Sequence, residues 1–206
     1  MKVPEHLALS FLMAQLGAQQ QYGPGGTALM MLAGFLPDLD AVTALGGWDV
    51  YRRWHRKLGH GLPMTLLGPA ALALLGAFGL RLGSLFPLWL WLQAALLAHL
   101  ISDILFYRWP VQLIWPLSRR GWQVGLIGWN DLMPTLSLYA GVALVLALPG
   151  FEKPAALAGI LGTLGYVAWR RLHPRPRSRW GIWLAGGWAR RRRRLVRWLT
   201  GDFIYR

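Results

Sequence analysis

Long apolar runs separated by short polar or basic connections organise this chain. A helix needs about 20 mostly apolar residues to cross the hydrocarbon core of a bilayer. Residues 62–80, 86–107, 132–148 and 155–169 approach that length, the last two near its short end. Two shorter apolar segments come first, at 6–16 and 27–36. The Gly/Gln-rich stretch GAQQQYGPGG separates them, and Pro37 interrupts the second. Their length suits an interfacial pair, a re-entrant pair or a tightly packed helical hairpin. Residues 180–199 mix Trp, Ile and Leu with Arg, as an interfacial amphipathic helix does. Gly186 and Gly187 break that pattern and suit a solvated basic tail equally well. The pattern predicts an all-α, polytopic integral membrane helical bundle of about four full spans, with two short N-terminal helices and a basic C-terminal tail. It divides the chain into a membrane-embedded domain, residues 1–172, and a basic Trp/Arg-rich cytoplasmic tail, residues 173–206.

The charges in the connections predict orientation. Arg52, Arg53, Arg56 and Lys57 precede the first span, and the next connection has only Arg81. The following one has Arg108, Arg119 and Arg120, the one after pairs Glu152 with Lys153, and the tail is strongly basic. This alternation is what four spans with both ends inside require. It places HRKLGH (residues 55–60), the loop at 108–122 and the tail on the cytoplasmic side. Composition agrees with a lipid setting: only 15% of residues are charged, against about a quarter in soluble domains. The net charge of +14 is concentrated from Arg170 onward. Such a tail binds either nucleic acid or anionic phospholipids, and lipid-scale helices upstream make the bilayer the simpler partner. The absence of cysteine excludes disulfides and thiolate metal sites. The N-terminal MKVPEHLALSFLMAQLG has the outline of a signal peptide. Glu5 and His6 fall where its apolar region should begin, however, and no A-x-A site follows, so a retained helix is expected.

Ionisable groups inside such segments are costly to bury and by default mark a site. His99 and Asp103, in AHLISD, are four residues apart on one helix face. His55 and His60 bound HRKLGH, Asp38 and Asp40 form PDLD, and His6 opens the first short segment. The orientation argument, built on Lys and Arg alone, puts all of them at one membrane depth on the cytoplasmic side. Imidazole with carboxylate suits Zn, Mn or Fe. Three Asp with three or four His exceed what one tetrahedral zinc uses, which leaves room for two ions, or for carboxylates that orient imidazoles. Each element also has a plainer reading. His99 with Asp103 is a buried hydrogen-bonded pair, PDLD a turn or helix cap, HRKLGH a positive-inside anchor, and His6 an exposed terminal residue. His173, in HPRPR, reads as solvated tail. The cluster outweighs its parts because four separate segments would have to supply it by accident. WPVQLIWPLSRR (residues 109–120) reads as an interfacial loop over the cytoplasmic mouth. Its Arg119 and Arg120 are either anion holders or ordinary positive-inside charge. WND (residues 129–131) puts Asp131 at the start of the third span, where a helix cap is the favoured reading.

Taken in order, LPDLD, HRKLGH, AHLISD and WPLSRR resemble the motifs of the bacterial inner-membrane, metal-dependent hydrolase family typified by YdjM. Members carry LPDxD, an HRxxTHS-type segment, an SHLxxD-type segment and a W-P-x-S element. The resemblance spans roughly residues 6–120. It implies a multi-pass helical protein of the inner (cytoplasmic) membrane with metal-dependent hydrolytic activity. By position it carries over Asp38 and Asp40, His55 and His60, and His99 and Asp103. Gly59 and Gly61 stand where Thr and Ser are usual, Lys57 replaces a small residue, and Ala98 replaces Ser. These departures remove hydroxyls that orient ligands or water, and leave every candidate ligand in place.

The expected protein is therefore a membrane hydrolase holding one or two divalent ions (Zn, Mn or Fe) on Asp38, Asp40, His55, His60, His99 and Asp103, with His6 as a further ligand. Its expected substrate is an ester or phosphoester, of a lipid or another amphiphile, reached at the cytoplasmic interface. Arg56 and Arg119 are candidate anion holders, and Asp40 a candidate base. The alternative is a non-enzymatic membrane protein: a metal or proton transporter, or a scaffold with a structural metal site. A transporter needs polar groups through the whole membrane depth. The third and fourth predicted spans offer only Thr135, Ser137 and Thr163.

Overall fold

The computed structural model describes residues 2–107, 110–128 and 131–173. Its contacts form two units, residues 1–171 and 172–206. The tail helix expected at 180–199 lies outside the described residues, as do Trp109, Trp129 and Asn130. The described helices are α1 (Val3–Gln15), α2 (Ala18–Phe35), α3 (Trp48–Trp54), α4 (Leu62–Leu74), α5 (Leu85–Leu105), α6 (Leu132–Ala147) and α7 (Glu152–Leu172). A 3₁₀ segment, Leu36–Gly46, continues α2, and a π turn, Leu75–Gly79, extends α4. Two-residue strands β1 (Phe106–Tyr107) and β2 (Ile127–Gly128) pair in parallel, with Phe106 opposite Ile127.

Among the described residues, three helical stretches are long and apolar enough to cross a membrane: Ala18–Gly46, Leu62–Gly79 and Leu85–Leu105. This differs from the expected four. The first two predicted spans keep that status. The third is the shorter apolar helix α6. The fourth is α7, whose 21 residues include Glu152, Lys153, Arg170 and Arg171.

The extra candidate comes from the segment expected to be short. GAQQQYGPGG separates two helical segments as expected, but more briefly: α1 ends at Gln15, α2 begins at Ala18, and a non-helical Gly23 divides α2 at a kink, so helix occupies most of the stretch. Gln is a good helix former, and Gly23, at φ 62°, absorbs a kink that residues with a Cβ rarely adopt. Pro24 then opens the next turn, where a missing N–H costs nothing. Pro37 acts as predicted on the α-helix, which ends at Phe35 before the tighter 3₁₀ turns take over.

Helix α1 packs against α2, α5 and α6. Its fully buried Leu12 meets Gly141 of α6 and Gly159 of α7. Those glycines bring two backbones together: a Cβ on Gly141 would lie 2.8 Å from the Gly159 Cα. Small residues permit this in lipid, where close packing replaces the hydrophobic drive between helices. Leu29, Met30, Ala73, Leu88 and Leu92 fill a second core among α2, α4 and α5. Leu66, Leu67, Phe78, Leu136 and Leu146 are all more than half exposed, as residues facing lipid are.

Polar contacts tie the helix ends together. The start of α1 reaches the end of α5, through His6 and Asp103, and the start of α6, through Glu5 and Thr135. Asp131 occupies the N-cap position of α6 but makes no side-chain cap bond, which corrects the favoured reading. Its carboxylate instead accepts the Tyr166 hydroxyl at 2.8 Å and the Gly128 N–H at 3.0 Å, with Arg170 Nε at 3.8 Å.

Candidate metal centre

The fold gathers every predicted His and Asp ligand, and His173 is exposed, as expected. Helix α1 supplies His6, the 3₁₀ segment supplies Asp38 and Asp40, the turn before α4 supplies His55 and His60, and the last turns of α5 supply His99 and Asp103. Four imidazoles stand in a row. Ring centroids are 5.9 Å apart for His55 and His60, 5.3 Å for His60 and His99, and 3.6 Å for His99 stacked on His6.

Local backbone chemistry makes this convergence possible. Arg56, at φ 63°, turns the HRKLGH segment back on itself. A Cβ on Gly59 would lie 2.0 Å from the Pro37 carbonyl oxygen, so glycine lets the turn seat directly on the 3₁₀ segment. A Cβ on Gly61 would lie 2.6 Å from the Lys57 oxygen and 2.8 Å from that of Trp115. The two departures from the usual Thr and Ser thus trade hydroxyls for backbone contact. The loop after β1 covers this turn, as expected. The Gln112 N–H donates to the Arg56 carbonyl at 3.1 Å, and the Leu62 N–H to that of Trp115 at 3.0 Å. Arg119 is exposed on that loop and Arg120 lies 4.8 Å over the Trp122 ring, so neither belongs to the cluster.

Hydrogen bonds fix which imidazole nitrogens face inward. His99 Nδ1 lies 2.7 Å from the Gly34 carbonyl, which only accepts, so Nδ1 carries the hydrogen. Neutral His99 therefore presents a lone pair at Nε2. The Ser102 hydroxyl donates to the His99 carbonyl at 2.7 Å, and so accepts from His6 Nδ1 at 3.3 Å. The His6 lone pair is then also at Nε2. Both Nε2 atoms are buried without a well-aligned hydrogen bond, as is Asp38 Oδ2, and His6 Nε2 lies 3.3 Å from the Asp103 carboxylate. Leaving such groups unmatched costs about 1–3 kcal/mol each.

Asp40 is already engaged. It accepts His55 Nδ1–H at 2.7 Å and the Arg56 N–H at 2.9 Å, and its Oδ2 is 3.3 Å from His60 Nδ1. Arg56 is buried, and its guanidinium lies 2.9 Å from Asp103 Oδ2. His60 sits between Asp40 and Asp103, with Nε2 3.4 Å from Asp103. Burial opposes the charged form of His60, but the two carboxylates outweigh it and hold the pKa above the usual histidine value.

Two sets of donor atoms could hold a metal ion, each within 4.8 Å of one another: His6, Asp38 and His99, and His60, His99 and Asp103. Neither includes Asp40 or His55, which stand beside the sets as an orienting pair. The donors are imidazole nitrogen and carboxylate oxygen, the set that suits Zn, Mn or Fe. The buried Nε2 atoms of His6 and His99, with Asp38 Oδ2, are what a cation would satisfy, so these residues fit a divalent ion. Arg56 already occupies Asp103, which leaves His6, Asp38 and His99 the better set.

Ser102 and Glu5 were not singled out from the sequence as parts of the site. A polar residue three after His99, on the same helical face, was the available signal for Ser102. Glu5 is buried and accepts from the Thr135 hydroxyl at 2.6 Å and the Lys2 N–H at 2.8 Å. Only its position beside His6 hinted at this. Comparison with curated proteins and with solved structures gave no match. A family model described as YdjM inner membrane protein, by contrast, matches residues 1–174. The match runs through every segment that supplies the His and Asp cluster and continues past α7, so this chain belongs to the YdjM inner membrane protein family.

Proposed function

We propose that this chain is a membrane-bound hydrolase that uses one divalent ion to cleave an ester or phosphoester of an amphiphile at the cytoplasmic face of the inner membrane. The observation that carries the reading is the convergence of the buried Nε2 atoms of His6 and His99 on Asp38, with His99 Nε2 and Asp38 Oδ2 lacking any hydrogen bond. The two donor sets share His99, whose single inward Nε2 serves one ion.

A divalent ion held there supplies Lewis acidity and a water of lowered pKa. Asp40 holds Nδ1–H of His55, which puts the lone pair of neutral His55 on Nε2. The base in this reading is His55, with Asp40 as its orienter, in place of Asp40 itself. Arg56 balances Asp103 rather than a substrate anion. Loop charges support a multi-pass arrangement with the cluster and the C-terminus cytoplasmic.

Metal analysis of detergent-purified protein tests the first half. Roughly one equivalent of Zn, Mn or Fe is expected, and His6→Ala with His99→Ala should remove it. Metal content unaffected by that double change eliminates the site. A panel of phosphodiesters, phosphomonoesters and lipid esters tests the second half, with turnover abolished by a chelator. A structural metal site is the second reading, favoured by the deep burial of the ligands. Metal retained without turnover on any substrate selects it.

A further inference from the structure

An apolar groove of about 440 Å³ runs between α1 and α2, lined by Val3, Leu7, Ala28, Met31, Leu32 and Phe35. Two of its lining residues neighbour candidate ligands in the chain. Val3 is three residues before His6 and Phe35 three before Asp38, so each is about one helical turn, about 5 Å, from a ligand. Asp38 is also the most accessible of the five residues in the two donor sets, at 12% side-chain exposure against 3% or less for His6, His60, His99 and Asp103.

The 3₁₀ segment that follows α2 also exposes apolar side chains. Leu39, Val42, Leu45 and Trp48 are 44%, 63%, 89% and 52% exposed. Their spacing of three matches the 3₁₀ period, at which side chains eclipse into one ridge, and Trp48 follows at the start of α3. That ridge lies on the segment that carries Asp38 and Asp40. Exposed hydrocarbon therefore neighbours Asp38 along the chain, in a protein of an inner-membrane family. A second apolar cavity, of about 320 Å³, lies among α1, α5 and α7. Ser102 stands between it and the cluster, with its hydroxyl already committed to His99 and His6.

We propose that the α1–α2 groove holds one acyl chain of a membrane phospholipid, with the ester or phosphate end of that lipid at Asp38. This rests on the hydrolase reading and names its substrate class: a lipid that enters sideways from the bilayer, rather than a soluble ester arriving from the cytosol. The occupant follows from what surrounds the groove. One wall of the groove is α2, part of a helical stretch long and apolar enough to span a membrane, so the occupant that fits it is lipid. The basic residues Arg53 and Lys57 near the cluster favour an anionic headgroup.

The test uses the full chain in vesicles that contain phosphatidylglycerol with a diazirine on one acyl chain. Irradiation followed by peptide mass spectrometry should place adducts mainly on Leu7, Met31 and Phe35. Ala28 is exposed toward the groove, so Ala28→Trp fills it without displacing core. That change should lower adducts on Leu7 and Met31 about ten-fold, the effect of losing burial of about two methylenes. Adducts on the outer face of α6, at Leu136 and Leu146, and the metal content should not change. Labelling spread evenly over all lipid-facing residues, or unaltered by Ala28→Trp, overturns the proposal. If the protein holds no metal yet the groove is labelled and blocked as described, the hydrolase reading fails and the lipid site stands. If metal is present and the groove is not labelled, the lipid site alone fails.

Discussion

Ser102 accepts the His6 Nδ1 hydrogen at 3.3 Å because its own hydrogen is given to the His99 carbonyl at 2.7 Å. One hydroxyl thus sets the tautomer of a neighbouring helix's imidazole and aims Nε2 at the cluster. Ser102→Ala should weaken metal binding about ten-fold, the usual effect of losing a partner that orients a ligand. Ser102→Thr should restore it, since the hydroxyl survives. Competition titration with a fluorescent chelator measures both. Equal affinities for wild type and Ser102→Ala would show that His6 needs no orienting.

The split between ligand and orienter predicts opposite outcomes for two neighbouring carboxylates. Asp38→Asn should strip metal, because Asp38 is in the better donor set. Asp40→Asn should keep metal while lowering turnover by about 10–100-fold, because the amide can no longer fix the His55 tautomer as a carboxylate does. Metal analysis alongside kcat separates the two. Loss of metal in Asp40→Asn would return Asp40 to the ligand set.

Arg56 and Asp103 form a buried ion pair at 2.9 Å. Arg56→Met leaves Asp103 without its cation, a loss of about 3–5 kcal/mol in the metal-free protein. A bound divalent ion should offset part of this, so the melting temperatures with and without chelator should move further apart than in wild type. Thermal unfolding in detergent reads the difference. Equal destabilisation in both conditions would mean that the ion does not share the electrostatics of this pair.

Gly59 and Gly165 offer a matched pair of alanine substitutions. At Gly59 a Cβ meets the Pro37 carbonyl at 2.0 Å, whereas at Gly165 nothing lies within 4 Å. Gly59→Ala should destabilise by about 1–3 kcal/mol and lower metal occupancy by prising the 3₁₀ segment away from His60. Gly165→Ala, inside α7, should be neutral or stabilise by up to about 1 kcal/mol. Melting curves with metal analysis decide. A tolerated Gly59→Ala would mean the turn can move without disturbing the ligands.

Much of this was legible without a fold. Apolar length predicted the helices, since 3.6-residue geometry and bilayer thickness leave few options for such runs. The cost of burying charge in an apolar chain singled out His6, Asp38, Asp40, His55, His60, His99 and Asp103, and the order of their motifs pointed to the family. Local composition misled where backbone conformation overrode it. Glycine and glutamine suggested a long break before Thr27, whereas the chain breaks only at Leu16–Gly17 and at the kinked Gly23 and is helical between them. Asp131 looked like a cap because Tyr166 and Arg170 are more than 30 residues away in sequence. Roles within the cluster were decided by tertiary contacts alone. Which carboxylate is free to bind an ion depends on where Arg56 and His55 come to rest. Which imidazole nitrogen faces inward depends on a carbonyl at Gly34 and a hydroxyl at Ser102. Those are directional, short-range interactions between distant segments. Residue spacing along a chain encodes the faces of helices, but not the hydrogen bonds made when the faces meet.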